Sequence, residues 1–237
     1  LRFESYAERF EDLMLYCVLK DVDEGFYIDI GANDPTADSV TKFFYDRGWH
    51  GINIEPLMGK CALLAEKRPR DINLCVGLGR ERGKLKLFES DKVSTFSAEI
   101  AGSKPINTLS NPQSTKKILT LSEVYETYPP PNREVHFCKI DVEGFEEEVL
   151  RGVSDWNKFR PWVFCIESTL PRTKTPSYDK WEHMLLENDY VFAAQLDINR
   201  FYVDMAREYL LPNFTKIDQF LAQNEIVKMV MMPIKLQ

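Results

Sequence analysis

Phe26-Tyr27-Ile28-Asp29-Ile30-Gly31-Ala32-Asn33-Asp34 is the stretch whose reading decides the fold. Its first five residues, apolar except for Asp29, read as a short buried strand. Gly31 then turns the backbone sharply, lets a ligand approach, and leads into a helix start with unpaired N–H groups. Only one glycine stands in this turn, so the Gly-x-Gly-x-x-Gly cradle of a dinucleotide pyrophosphate is absent. Gly77-Leu78-Gly79-Arg80-Glu81-Arg82-Gly83 imitates the spacing, but residues 84–88 after it read as strand rather than helix.

The same alternation extends outward from that strand. Helical character through Val40, Phe43 and Phe44 stops at Gly48, and strand 51–55, helix 57–67 and strand 71–76 follow. The second half carries strand 135–140, helix 146–150, strand 162–166 and helix 178–188, then runs 190–195 and 200–203 that predict a terminal hairpin. Short apolar strands alternating with ~10-residue helices predict an α/β domain with a parallel sheet and right-handed crossovers. Upstream, apolar residues at 6, 10, 13, 14 and 17 predict a helix over 5–20. Strand 85–88 interrupts the alternation, and a short strand and helix are expected over 118–128, before the Pro129-Pro130-Pro131-Asn132 turn. Residues 89–117, rich in Ser, Thr, Asn, Lys and Pro, show no period and are expected to form an insert that works as a lid. The expected organisation is one domain over 1–237, with an N-terminal helix within 1–24 and a C-terminal extension over 205–237. That extension carries a short helix at 218–223 and an apolar segment at 227–234.

Composition narrows the function. The 237 residues include 37 acidic and 30 basic side chains, a formal charge of −7, with 28% charged and 12% aromatic residues. Those fractions exclude a disordered or collagen-like chain. No run approaches the ~18 apolar residues of a membrane span, and no basic block suggests nucleic acid as a partner. Five cysteines, at 17, 61, 75, 138 and 165, show no Cys-x-x-Cys spacing, so a reduced, cytoplasmic setting is the natural expectation. The chain starts at Leu1 without a methionine and shows no signal peptide, as a piece of a longer protein would.

Candidate site residues follow from position. Glu55 closes the second strand, 24 residues beyond Gly31. In a doubly wound sheet a carboxylate there lies beside a cofactor ribose and accepts both hydroxyls; the competing reading is a solvated strand-end acid. Asp29 inside an apolar strand is costly unless paired. It is either a structural acceptor for loop amides or the group facing the ammonium of an amino-acid-like ligand. Together, Asp29, Gly31 and Glu55 suit a nucleoside with a cationic tail, S-adenosylmethionine rather than a nicotinamide dinucleotide. His50, His136 and His183 are too scattered for a ligand cluster; His50, before the second strand, is a secondary catalytic candidate, and Lys139 reads as structural.

Several stretches carry a family resemblance. They are Tyr27-Ile28-Asp29-Ile30-Gly31-Ala32-Asn33, Gly48-Trp49-His50-Gly51-Ile52-Asn53-Ile54-Glu55-Pro56 and Lys139-Ile140-Asp141-Val142-Glu143-Gly144-Phe145-Glu146. Val149-Leu150-Arg151-Gly152, Arg160-Pro161, Glu167 and Asn199-Arg200-Phe201-Tyr202-Val203 add to them. On these the chain resembles the FkbM-type S-adenosylmethionine-dependent methyltransferases along nearly all its length; residues 89–117 and the tail after about 205 match weakly. The resemblance implies a Rossmann-like, seven-stranded methyltransferase sheet, mostly parallel with the last strand antiparallel and helices on both faces. It implies methyl transfer to a hydroxyl, often of a sugar or a polyketide-like natural product, with a small-molecule or saccharide acceptor as partner.

Carried over, the resemblance makes Asp29, Gly31 and Asn33 the cofactor loop, Glu55 the ribose ligand and Gly77 a residue near the adenine. Asp141 and Glu143 follow the fourth strand and Glu167 ends the fifth, at the carboxyl edge where open α/β sheets bind ligands. These three are the catalytic candidates, although an acid such as Glu143 in the first turn of a helix also suits the helix dipole alone. An alcohol must shed its proton, which calls for a general base or a metal. Base or polar positioning is the favoured reading, with magnesium or manganese the alternative and no metal ligands assigned. Two other functions stay open: a non-catalytic S-adenosylmethionine-binding module, and a nicotinamide-dependent sugar oxidoreductase, which the single-glycine turn disfavours.

Overall fold

The structure, a computed structural model, describes residues 2–89, 94–102 and 113–228. Its first half runs β1 (Arg2–Ser5), α1 (Glu11–Leu19), β2 (Phe26–Ile30), α2 (Lys42–Asp46), β3 (His50–Ile54), α3 (Met58–Lys67) and β4 (Ile72–Leu74). Then come β5 (Gly77–Leu78), β6 (Gly83–Phe88), α4 (Ala98–Gly102), β7 (Gln113–Leu119) and α5 (Leu121–Thr127). The second half holds β8 (Phe137–Ile140), α6 (Glu146–Arg151), β9 (Val163–Glu167), α7 (Glu182–Leu186), β10 (Tyr190–Leu196), β11 (Asn199–Asp204), α8 (Ile217–Gln223) and β12 (Glu225–Lys228).

Seven strands form the main sheet in the order β10-β11-β9-β8-β2-β3-β4. The pairs from β9 to β4 are parallel, and β11 runs antiparallel to both of its neighbours. Strand side chains alternate between faces. Ile28, Ile30, Ile52, Ile54, Cys138, Ile140, Phe164 and Ile166 face one core, closed by Leu121 and Val124 of α5, Val149 and Leu150 of α6 and Leu185 of α7. Tyr27, Phe137, Val163, Cys165, Phe201 and Val203 face the other, against Leu13, Met14 and Val18 of α1 and Phe43 and Phe44 of α2. Each large side chain buried this way contributes ~1.5–3 kcal/mol, so the sheet is fixed from both sides. Among the described residues, no helix is long and apolar enough to cross a membrane.

Three sequence expectations need correction. The helix predicted over 5–20 starts only at Glu11, because Phe10 is left-handed (φ 66°) and Asp12 accepts from the Ser5 hydroxyl and the Tyr6 and Ala7 amides. Residues 2–5 are instead β1, parallel to β12 near the other end of the described chain. The helix expected over 178–188 is a 3-10 turn, Tyr178–Lys180, followed by α7. The aperiodic stretch contains α4, and β7 begins at Gln113, earlier than the strand expected from 118; residues 90–93 and 103–112 of that stretch, like 229–234 of the apolar tail, lie outside the described residues. Strand β7 joins β5 and β6 in a separate three-stranded sheet, order β5-β7-β6. Its pairing was hidden because Gln113–Leu119 is polar on both faces and mostly exposed or half-buried.

A buried polar knot ties β2 and β3 to the segment that enters β4. Arg68, 1% exposed, donates to the Pro35 carbonyl and the Ser39 hydroxyl and lies 3.8 Å from the Asp71 carboxylate. Asp71 in turn accepts from the Tyr27 hydroxyl (2.7 Å), the Gly51 amide (2.9 Å) and the Asn53 amide group (2.8 Å). Removing one partner of a buried pair leaves the other uncompensated. Arg68→Met is therefore expected to cost ~3–5 kcal/mol, read by urea unfolding; a loss under ~1 kcal/mol, the worth of an exposed pair, would refute the knot.

Candidate active site

A cavity of about 690 Å³ opens at the carboxyl ends of β2, β3 and β8. Gly31 forms its tightest corner. Its φ is +78°, and an added Cβ would sit 1.9 Å from the Asp141 carbonyl oxygen, so no other residue fits. The Gly31 and Ala32 amides both donate to the Ile54 carbonyl, at 3.0 and 3.2 Å, which ties the turn to the end of β3. Directly beyond lies Glu55. Its Oε2 accepts from the Asn33 amide (2.9 Å) and its Oε1 from the Leu57 amide (2.8 Å). The carboxylate is thus oriented by two loops, and each oxygen keeps a further acceptor position toward the cavity. Burial pushes the Glu55 pKa up, against the opposing pull of those amides and of Lys139 and Lys60.

Lys139 joins the strands beneath. Its ammonium donates to the Gly31 carbonyl at 2.8 Å and lies 3.4 Å from both Asp29 and Asp141. Burial alone would lower its pKa, but Asp29 and Asp141 outweigh that and leave it raised. Asp29, 1% exposed, does not line the cavity; it accepts from the Thr41 hydroxyl at 3.0 Å and faces Lys139. The structure therefore places Asp29 one layer below the space that Gly31, Asn33, Glu55, Gly77, Asp141 and Glu143 line. Lys139, read from sequence as structural, links Asp29 to two of the lining residues, Gly31 and Asp141.

Acids crowd the far wall. Asp141 and Glu143 line the cavity, with Glu143 in the left-handed region (φ 57°). Glu146 accepts from the Val142 and Gly144 amides, both at 3.1 Å, which sets that loop. Glu167 ends β9 beside Asp141, 5% exposed and outside the cavity lining, and its Oε2 has no hydrogen-bond partner among the described residues. Glu11 of α1 joins them, held by the Asn199 amide group at 2.8 Å. Burial, then neighbouring carboxylates, pushes Glu143 up to about 9 and Glu167 well above the usual range. Burial pushes Glu11 and Glu146 up to about 7. Among the described residues, no group of three His, Cys, Asp or Glu side chains is placed to hold a metal ion.

The histidines lie elsewhere. His50 begins β3, at the opposite end from Glu55, with its ring 5.2 Å from that of Phe26. His136 accepts from the Phe26 amide at 3.0 Å, and His183 rides on α7. Sequence reasoning named none of Leu87, Glu89, Ser94 and Phe96, which also line the cavity, although the strand expected over 85–88 and the lid expected over 89–117 contain them. Phe96, an aromatic residue in a polar stretch, was their one visible signal. It fills the space over Gly77, where an added Cβ would sit 2.5 Å from its ring.

The family model described as "Methyltransferase FkbM domain" matches residues 29–192, more than half of the chain. A crystal structure of Methyltransferase FkbM from Methylobacillus flagellatus KT has 14% sequence identity to this chain and a TM-score of 0.46. That similarity covers 76% of this chain and 44% of the Methylobacillus chain, less than half the latter's length. No curated protein matches.

The crowded acids fix a pH dependence. A carboxyl whose pKa is raised in the folded chain keeps a proton that the unfolded chain has already shed, so stability falls as pH rises through that interval. For Glu11 and Glu146 the interval runs from about 4.5 to about 7, and for Glu143 from about 4.5 to about 9. Calorimetry of the ligand-free protein should show the melting temperature falling between pH 5 and pH 9. Glu143→Gln should flatten the part above pH 7. A melting temperature that rises with pH over this range would mean that the acids are not held together in the folded state.

Proposed function

The chain belongs to the FkbM methyltransferase family, and on that premise we propose that it transfers a methyl group from S-adenosylmethionine to a hydroxyl of a saccharide (nucleotide sugar or glycan) or a similar polyol. The observation that carries this reading is Glu55, oriented by the Asn33 and Leu57 amides toward a cavity whose Gly31 corner holds no side chain. A carboxylate so held suits the two hydroxyls of a ribose. The residues present fit the cofactor: the cavity lies within the ~300–1,000 Å³ usual for such ligands, and Asp141 on its far wall offers a carboxylate to a cationic group.

When bound, S-adenosylmethionine supplies an already activated methyl group, which leaves positioning and proton removal to the protein. Glu55 anchors the ribose, and Gly31 and Gly77 let backbone and ring approach closely. Asp141, at the cavity edge and paired with Lys139, would take the acceptor hydroxyl's proton during the transfer. Glu167 adjoins Asp141 and, kept protonated by burial, acts as a positioning residue. Glu143 is the second acid facing the acceptor. Base catalysis needs no cation, whereas magnesium or manganese would require converging carboxylates.

Calorimetry is expected to give micromolar binding of S-adenosylhomocysteine, about −7 to −8 kcal/mol, weakened by ~1.5–3 kcal/mol in Glu55→Ala. Binding of NAD in its place would favour the oxidoreductase reading instead. Asp141→Asn should keep that affinity and lower turnover by ~10²-fold, with wild-type turnover surviving EDTA. Loss of turnover in EDTA, restored by magnesium, would make the carboxylates metal ligands; turnover unchanged in Asp141→Asn would remove Asp141 from the chemistry.

A further inference from the structure

Two thiols sit beside the loop that holds Glu55 and take no part in the chemistry above. Cys61 lies on α3 and is buried, whereas Cys75, just past β4, is exposed. They are neighbours in space: after burial, Cys75 has the largest influence on the Cys61 thiol, and Glu55 adds to it, so that Cys61 is pushed up to about 11. The Cys75 thiol faces the Pro56 carbonyl, 4.0 Å away. The pair lacks Cys-x-x-Cys spacing because a helix and a strand, rather than a tight turn, bring it together.

Neither thiol lines the cavity, but each adjoins its wall. Lys60, before Cys61, lines it, as do Val76 and Gly77 after Cys75. The same two segments hold Glu55. Its backbone amide donates to the Leu74 carbonyl at 3.0 Å, and its carboxylate accepts from the Leu57 amide. Leu57 in turn is one helical turn before Cys61, whose amide donates to the Leu57 carbonyl at 2.9 Å.

We propose that Cys61 and Cys75 form an intramolecular disulfide when the chain meets a hydroperoxide, and that this bond reversibly weakens cofactor binding. The effect on the cofactor rests on the reading of Glu55 as ribose anchor; the disulfide itself does not. Exposed Cys75 reacts first, as its thiolate. Its sulfur bonds to one peroxide oxygen as the O–O bond breaks, which leaves a sulfenic acid and a hydroxide that takes up a proton as water. Cys61 sulfur then displaces the sulfenic hydroxyl, which departs with the Cys61 proton as a second water. Two thiols thus lose two electrons and two protons, and one hydrogen peroxide is reduced to two waters.

An S–S bond spans only about 2 Å, so two thiols in contact must draw closer to form it. The Cys75 side has little room to move, because Gly77 packs against the Phe96 ring so closely that an added Cβ would sit 2.5 Å away. The displacement therefore falls on α3 and on the Leu57 amide at its start, and Glu55 loses one of its two orienting bonds.

The test treats the whole chain with hydrogen peroxide, blocks free thiols with N-ethylmaleimide and digests it with trypsin. Mass spectrometry is expected to show the Cys61 and Cys75 peptides joined, two hydrogens lighter than their sum and separated by dithiothreitol. Calorimetry should give S-adenosylhomocysteine affinity weakened about fivefold or more by oxidation and restored by reduction. Cys75→Ser should bind S-adenosylhomocysteine as the reduced wild type does and lose the response to peroxide. Cys61→Ser should lose it too, with Cys75 oxidised on to the sulfinic acid; Cys75→Ser alone decides if Cys61→Ser does not fold. Wild-type Cys75 oxidised without a cross-link, a cross-link between two chains, or an intramolecular cross-link that leaves the affinity unchanged overturns the proposal. Absence of S-adenosylhomocysteine binding to the reduced protein overturns the cofactor reading and the effect on it, while the peptide masses still decide whether the disulfide forms.

Discussion

No side chain fits between residue 31 and the carbonyl of Asp141, and the candidate site depends on that contact. Parallel strands β2 and β8 are neighbours, so their carboxyl ends emerge side by side and the loops that follow compete for the same space. A glycine at +78° resolves the conflict, and Lys139 secures it by donating to the carbonyl of that same glycine. From this corner the chain leaves in two directions. One loop brings the Asn33 amide to Glu55, and the other carries Asp141 and Glu143 to the opposite wall. A Cβ at position 31 would force both loops apart and misplace ligand groups on both sides of the cavity.

Lys139 also explains how the sheet tolerates charge in its interior. Asp29 and Lys139 are register partners across β2 and β8, both nearly fully buried. An isolated ion there would cost several kcal/mol, but each has the other, and Thr41 and the Gly31 carbonyl take up further hydrogen-bonding capacity. The pair therefore works as a brace. Its ammonium points to the cavity edge and holds Asp141 there, so a buried structural contact sets the position of the proposed base.

Legibility followed hydrophobicity. Strands such as β2, β3, β8 and β9 were readable because each is a short apolar run, and the carboxyl-edge positions of Glu55, Asp141 and Glu143 came with them. The β1–β12 pair was not, since two short segments far apart in the chain carry no local sign of their parallel pairing. Nor was the β5-β7-β6 sheet as a unit: strand 85–88 was readable from its Leu85 and Leu87, but its partner β7 is polar over most of its length and gave no sign of the pairing. Part of the cavity wall was lost with it, because Leu87 and Phe96 belong to that region. The location of Asp29 below the cavity could not be read either: it depends on the β2–β8 register, which sets Lys139 opposite it.

The acid cluster has a cost that bears on function. Glu11, Glu143, Glu146 and Glu167 all have pKa values raised first by burial, and the Asp141 carboxylate raises each of them further. Hydrophobic residues would make that corner more stable, as they commonly do in place of buried charge. Functional sites are where such strain is retained. A cationic ligand entering the cavity would lower those pKa values, so that its binding would release protons.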